Sequence, residues 1–162
     1  MPTFDVVSKP DWAEIKNALN QAEKELAQRY DFEGTDAEIE LSDKVLWVRA
    51  NSDDRVLAAY DILVGKLTRR EVSLKHFDMG RCEPGSGSGR KMKVTIQEGL
   101  STEKAKQIVK ILKESGLKVQ PSIVEDSVRV SGKNRDDWQE AIAHLKSQAN
   151  LDVALQFQNF RD

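Results

Sequence analysis

The chain has 162 residues, 39% of them hydrophobic and 32% charged, with a net charge of −2. That is enough apolar material for one ordinary domain or two small ones, so disorder is excluded as the default. The sequence contains no run near the roughly 18 apolar residues of a membrane span, Met1–Asp5 does not read as a secretory leader, and a single cysteine, Cys82, forbids an internal disulfide and predicts a reducing, cytoplasmic address.

In chain order, Phe4–Ser8 reads as a strand. Asp11, with Glu14 three residues on, predicts the start of a helix whose apolar stripe is Ile15, Ala18, Leu19, Ala22 and Leu26. Ile39 and Leu41 alternate with Glu38 and Glu40, and after a turn at Ser42–Lys44, Leu46 and Val48 alternate with Val45, Trp47 and Arg49. That pattern predicts a hairpin with one buried face. Ser52 caps a second helix with Val56, Ala59, Tyr60, Leu63 and Leu67 inward, and a short strand is expected near Val72–Phe77.

Glu83–Arg90, rich in Gly and Ser, reads as a linker or loop. Beyond it the same order of signals returns. Met92, Val94 and Ile96 alternate with polar residues, and Ser101 caps a helix with Ala105, Ile108, Val109 and Leu112 inward that Gly116 stops. Leu117, Val119 and Ile123 form a strand, Glu125–Asp126 a turn, and Val128 and Val130 the return strand. Asn134 caps a last helix with Trp138, Ala141, Ile142 and Leu145 inward, and Leu155 and Phe157 mark a last strand.

The halves align at a fixed offset: Val48 with Val130, Ser52 with Asn134, Asp54 with Asp136, Ala59 with Ala141 and Leu63 with Leu145. A core stripe and a cap matched in one register indicate internal duplication. The expected fold class is α+β, two ferredoxin-like β-α-β-β-α-β units, each a four-stranded antiparallel sheet with two helices on one face and the other face open. The expected boundaries are 1–82, a linker at 83–90, and 91–162.

The composition excludes several chemistries. His76 and His144 have no partner at ligand spacing and only one cysteine exists, so no metal site is expected. There is no GxSxG, Walker A or GxGxxG motif. Asp53–Asp54 and Asp136–Asp137 sit in first helical turns, where the helix dipole favours them without any catalytic role. Residues 91–135 hold 10 basic and 5 acidic side chains, which suits a discrete anion better than a long polymer, since a generic DNA coat needs net positive surface. The open face of the second unit is expected to carry Lys91, Lys93, Thr95, Gln97, Lys118, Gln120, Ser122, Arg129 and Ser131 but no aromatic ring, so it lacks a stacking platform for bases.

Met1–Ser8, Arg29–Gly34, Leu117–Gln120, Val128–Asp137 and Leu155–Asp162 together resemble the YajQ family over essentially the whole chain. The 71–90 region diverges from that pattern, and Trp138 stands where Leu is usual. The resemblance implies two ferredoxin-like domains with exchanged N-terminal strands. Phe4–Ser8 would join the second unit's sheet, and residues 91–97 would join the first, placing Lys91, Lys93 and Thr95 beside Glu38, Glu40 and Trp47. It further implies nucleotide binding, with cyclic di-GMP as the ligand of some members, RNA binding as a property proposed for the fold, and no established catalytic residues.

The expectation is therefore a non-enzymatic nucleotide-binding protein without a cofactor, a cyclic di-GMP effector in its sharper form. An RNA-associated module, or an adaptor for a transcription-regulator protein using Trp47 and the acidic first half, are the alternatives. The residues expected on the nucleotide phosphates are Arg129, Lys118, Lys133 and Arg135, followed by Lys91 and Lys93.

Overall fold

A computed structural model describes residues 1–162, residue 149 by its backbone alone. The helices begin where the chain supplies an oxygen for their first free N–H groups. Asp11 accepts from the Glu14 N–H at 3.2 Å ahead of α1 (Trp12–Gln28). Ser52 accepts from Arg55 at 3.3 Å ahead of α2 (Asp53–Arg69), and Ser101 from Lys104 at 3.1 Å ahead of α3 (Thr102–Glu114). Asn134 occupies the cap position of α4 (Arg135–Lys146), but its side chain makes no capping hydrogen bond. Gly116 ends α3 with a φ of 77°, the left-handed turn that Gly takes without strain.

The strands are β1 (Thr3–Val7), β2 (Glu38–Ser42), β3 (Val45–Ala50), β4 (Phe77–Pro84), β5 (Arg90–Ile96), β6 (Val119–Val124), β7 (Ser127–Gly132) and β8 (Gln156–Arg161). They form two four-stranded antiparallel sheets, in the orders β6-β7-β1-β8 and β2-β3-β5-β4. The architecture is α+β with two ferredoxin-like units. One compact unit is Met1–Lys9 with Glu98–Asp162; the other is Pro10–Gln97.

Strand β1 thus sits between β7 and β8, and β5 between β3 and β4. The Gly/Ser stretch holds the end of β4 and a tight turn. Gly85 N–H donates to the Gly89 carbonyl at 2.8 Å and Gly89 N–H to the Ser86 carbonyl at 2.9 Å, so the stretch joins two neighbouring strands inside the Pro10–Gln97 unit. The strand expected near Val72–Phe77 begins only at Phe77. Before it, Leu74–His76 is a 3-10 turn, because the Ser73 side chain accepts from the Lys75 N–H at 3.3 Å and holds the backbone tight.

Each unit buries one stripe of each of its two helices on one face of its sheet. Ile15, Leu19 and Leu26 of α1 and Val56, Leu63 and Leu67 of α2 cover Leu46, Val48, Met92 and Val94. Ile108 and Leu112 of α3 and Trp138 and Leu145 of α4 cover Phe4, Val6, Val128 and Val130. Trp138 fits because Gly132 has no side chain: a Cβ there would lie 3.1 Å from the indole Cδ1. The indole packs edge-on to Phe4, centroids 5.8 Å apart, and Phe160 stacks on Phe4 at 5.5 Å.

Phe4 is fully buried at the centre of the first sheet and far in sequence from its partners. Phe4→Ala should cost about 3–5 kcal/mol. Native-state hydrogen exchange should show the loss in residues 98–162, with protection in 10–97 retained.

Candidate functional site

Alternation along β1 sends Phe4 and Val6 into the core and Asp5 to the opposite face, where Asp5 is directly across from Arg129 on β7 and Gln158 on β8. Asp5 is 5% exposed, and an ionised carboxylate so placed needs partners. It has three. Arg129 Nε donates to Oδ1 at 3.1 Å, Asn159 Nδ2 donates to Oδ2 at 2.9 Å, and Arg161 Nη2 lies 3.7 Å from Oδ2.

A bulge in β8 makes this possible. Strand β8 advances three positions, from Gln158 to Arg161, where β1 moves two, from Asp5 to Thr3, and Asn159 takes a φ of 55°. The extra residue turns its amide back to Asp5. Phe160 still reaches Phe4, and Arg161 still lies on the Asp5 face.

Burial pushes the Asp5 carboxyl up. The hydrogen bonds from Asn159 and Arg129 and the charges of Arg129 and Arg161 outweigh it, and the net direction is down from the ordinary value. Asp5 therefore stays ionised at neutral pH. One carboxylate facing two guanidiniums leaves a net positive charge on this face. Arg129 engages Asp5 through Nε alone; its Nη groups have no partner among the described residues, and its side chain is 34% exposed.

Two residues along β7 from Arg129, Ser131 begins a groove of about 450 Å³ that Lys118, Gln120, Lys133 and Asn134 also line. Lys118 and Lys133 are exposed and form no ion pair among the described residues. Alternation places Gln120, Ser131 and Arg129 on the same sheet face. Three of the expected phosphate ligands, Arg129, Lys118 and Lys133, thus share one surface.

The other three lie elsewhere. Arg135 pairs with Asp162 at 3.0 Å, both largely exposed, beside a different groove walled by Trp138 and Phe160. Lys91 and Lys93 stand on β5 in the Pro10–Gln97 unit, across from Arg49 and Trp47. Lys91 Nζ lies 5.1 Å from the centre of the Trp47 ring and 4.0 Å from Glu83, while Arg49 donates to Glu38 at 3.0 Å and Glu40 at 2.9 Å. Carboxylates balance the cations on that face, and cations already cover its one aromatic ring.

Asp5, Asn159 and Arg161 were not predicted as site residues. The one available signal was Asp5 itself, a charged residue between apolar neighbours in a strand. Its partners depend on register across 124 and 154 residues of chain. Other reactive groups offer no rival site. Burial pushes the Cys82 thiol up and Asp53 adds to the shift against Arg90, which disfavours a thiolate nucleophile. Among the described residues no three His, Cys, Asp or Glu side chains converge as metal ligands.

Because the folded Asp5 pKa is depressed, its contribution to stability is complete above the unfolded carboxyl value, near 3.9, and disappears as pH falls through the lower folded value. Asp5→Asn should therefore destabilise the protein by about 2 kcal/mol at pH 7. Urea unfolding should show that difference shrinking below pH 4. A gap that persists unchanged down to pH 2 would assign the loss to shape rather than charge.

A family model described as nucleotide-binding protein YajQ-like matches residues 2–161. A "Nucleotide-binding protein" of Trichlorobacter lovleyi is 46% identical over 162 residues, covering 100% of both chains. One of Myxococcus xanthus is 49% identical over 165 residues, again covering 100% of both, and one of Syntrophotalea carbinolica is 49% identical over 161 residues, covering 99% of each. With a match of this length, and relatives of this identity along their full extent, the chain belongs to the YajQ-like family of nucleotide-binding proteins.

Proposed function

We propose that this chain binds a nucleotide without transforming it, and takes the phosphates on the open face of the β6-β7-β1-β8 sheet. The observation that carries the reading is the Asp5 carboxylate, buried and ionised, with Arg129 and Arg161 on either side of it. A guanidinium tied at one edge keeps its remaining N–H donors aimed in one direction, which lowers the ordering cost of a bidentate phosphate contact. Lys118 and Lys133, against the single carboxylate of Asp137 in the same groove, extend the positive surface from there.

The chemistry is that of a binder. Asp5 is committed to its arginines and is a poor base, and the neighbouring groups are permanent cations, hydroxyls and amides. The relatives carry the name of nucleotide-binding proteins. Within that class a cyclic dinucleotide fits best, because its two phosphodiesters in one ring match two arginine forks on one face. Cyclic di-GMP is the ligand we assign, with a cytoplasmic address as part of the same proposal. The absence of an aromatic ring among the strand positions of this face disfavours sequence-tolerant RNA binding by stacking.

Isothermal titration with cyclic di-GMP, GTP and ATP tests the reading. Arg129→Ala should weaken the cyclic dinucleotide about tenfold or more, given ~1.5–3 kcal/mol for a charge-assisted contact. Arg129→Ala combined with Lys133→Ala should remove detectable binding, and Lys91→Ala should leave it unchanged. Undiminished affinity in the double variant would overturn the site. Affinity for a single-stranded RNA that exceeds that for every nucleotide and falls steeply with salt would overturn the ligand class.

A further inference from the structure

The two sheets have four edge strands: β6 and β8 in one, β2 and β4 in the other. An edge exposes a row of unpaired N–H and C=O groups, and proteins commonly blunt it. Three of these edges are blunted. β6 carries Pro121 in mid-strand, which has no N–H to offer. β8 contains the bulge at Asn159, and β4 is irregular between Met79 and Cys82. β2 differs. Glu38–Ser42 pairs with β3 in unbroken register and contains no proline, bulge or left-handed residue.

The two-residue turn at Asp43–Lys44 sets which backbone groups of β2 are unpaired. Hydrogen-bonded pairs alternate from Ser42 and Val45, so the N–H and C=O of Ile39 and Leu41 face outward. Beside this edge a groove of about 1040 Å³ runs between β2 and α1, with Leu19, Leu26 and Ile39 in its wall and Tyr30, 89% exposed, at its side. Its charge is acidic on balance. Glu23, Glu33, Asp36, Glu38 and Glu40 line it against Lys16 and Arg29; Arg29 already pairs with Glu25 and Asp31, and Glu38 and Glu40 share the single charge of Arg49.

We propose that β2 is a docking edge for an extended basic segment of a partner protein, added antiparallel as a fifth strand. Main-chain hydrogen bonds to Ile39 and Leu41 would supply affinity, and alternate side chains specificity. Basic residues would fall on the face of Glu38 and Glu40, and apolar ones would enter the groove over Leu19 and Leu26. The acidic edge selects against a second copy of this chain, because a twofold antiparallel pairing centred on Ile39 sets Glu38 against Glu40, and one centred on Glu40 sets Glu40 against Glu40.

The probe is the peptide acetyl-Lys-Val-Lys-Val-Lys-Val-amide, titrated into the full chain and followed by 1H–15N spectra and amide exchange. Shifts and slowed exchange should centre on Ile39 and Leu41. N-methylation of the valine nitrogens should weaken binding at least tenfold, since those N–H groups face β2. Glu38→Lys with Glu40→Lys should weaken it similarly and confer binding of the Glu-Val counterpart. Equal binding of the methylated peptide, shifts confined to another surface, or no binding of the basic probe would overturn the proposal. So would a dimer in sedimentation whose interface includes β2.

Discussion

Strand β1 depends on one requirement: a carboxylate at the centre of a sheet must remain charged. Thr3–Val7 enters between β7 and β8, and its alternation gives one strand two duties. Phe4 and Val6 anchor the core, each fully buried, which stabilises by about 1.5–3 kcal/mol per side chain. Asp5, between them, would cost several kcal/mol if it were buried without partners. Arg129, Asn159 and Arg161 remove that cost. A purely structural pair would need one guanidinium. The second arginine and the uncommitted Nη groups of the first exceed what stability requires, and that surplus is what an anion would meet.

The two sheets share an order of elements but have diverged in what their open faces do with charge. On the β2-β3-β5-β4 sheet two of the cations have a nearby counterweight. Arg49 has Glu38 and Glu40, and Lys91 has Glu83 and the Trp47 ring. On the other sheet the cations outnumber the one carboxylate they surround. A duplicated unit can separate roles in this way without altering its core, because the faces are set by strand residues that never touch the helices. The neutral face and acidic edge suit a protein segment; the basic face suits a phosphate.

Much of the fold was legible in local pattern. Asp11, Ser52 and Ser101 cap helices as their spacing predicts, and the inward stripes are the buried residues of α1, α2, α3 and α4, with Val109 and Ile142 only half-buried at their margins. These signals depend on neighbours within one helical turn. What depends on distant chain was not legible from periodicity. The site needs Asp5 opposite Arg129, and nothing local to either residue encodes that register. The bulge that brings Asn159 to Asp5 is an extra residue in a strand, invisible to alternation. Glu83–Arg90 has the composition of a linker, but strand composition on either side makes it a turn within one sheet. Lys91 and Lys93 looked equivalent to the other basic strand residues until pairing put Lys91 beside Glu83 and Lys93 across from Trp47.

The most direct measurement follows the arginine side chains themselves. Nε–H resonances recorded during titration with cyclic di-GMP should move and saturate together for Arg129 and Arg161, with Arg49 and Arg135 stationary. Saturable movement of Arg49 or Arg135 while Arg129 and Arg161 stay fixed would place the nucleotide away from the Asp5 face and contradict the account.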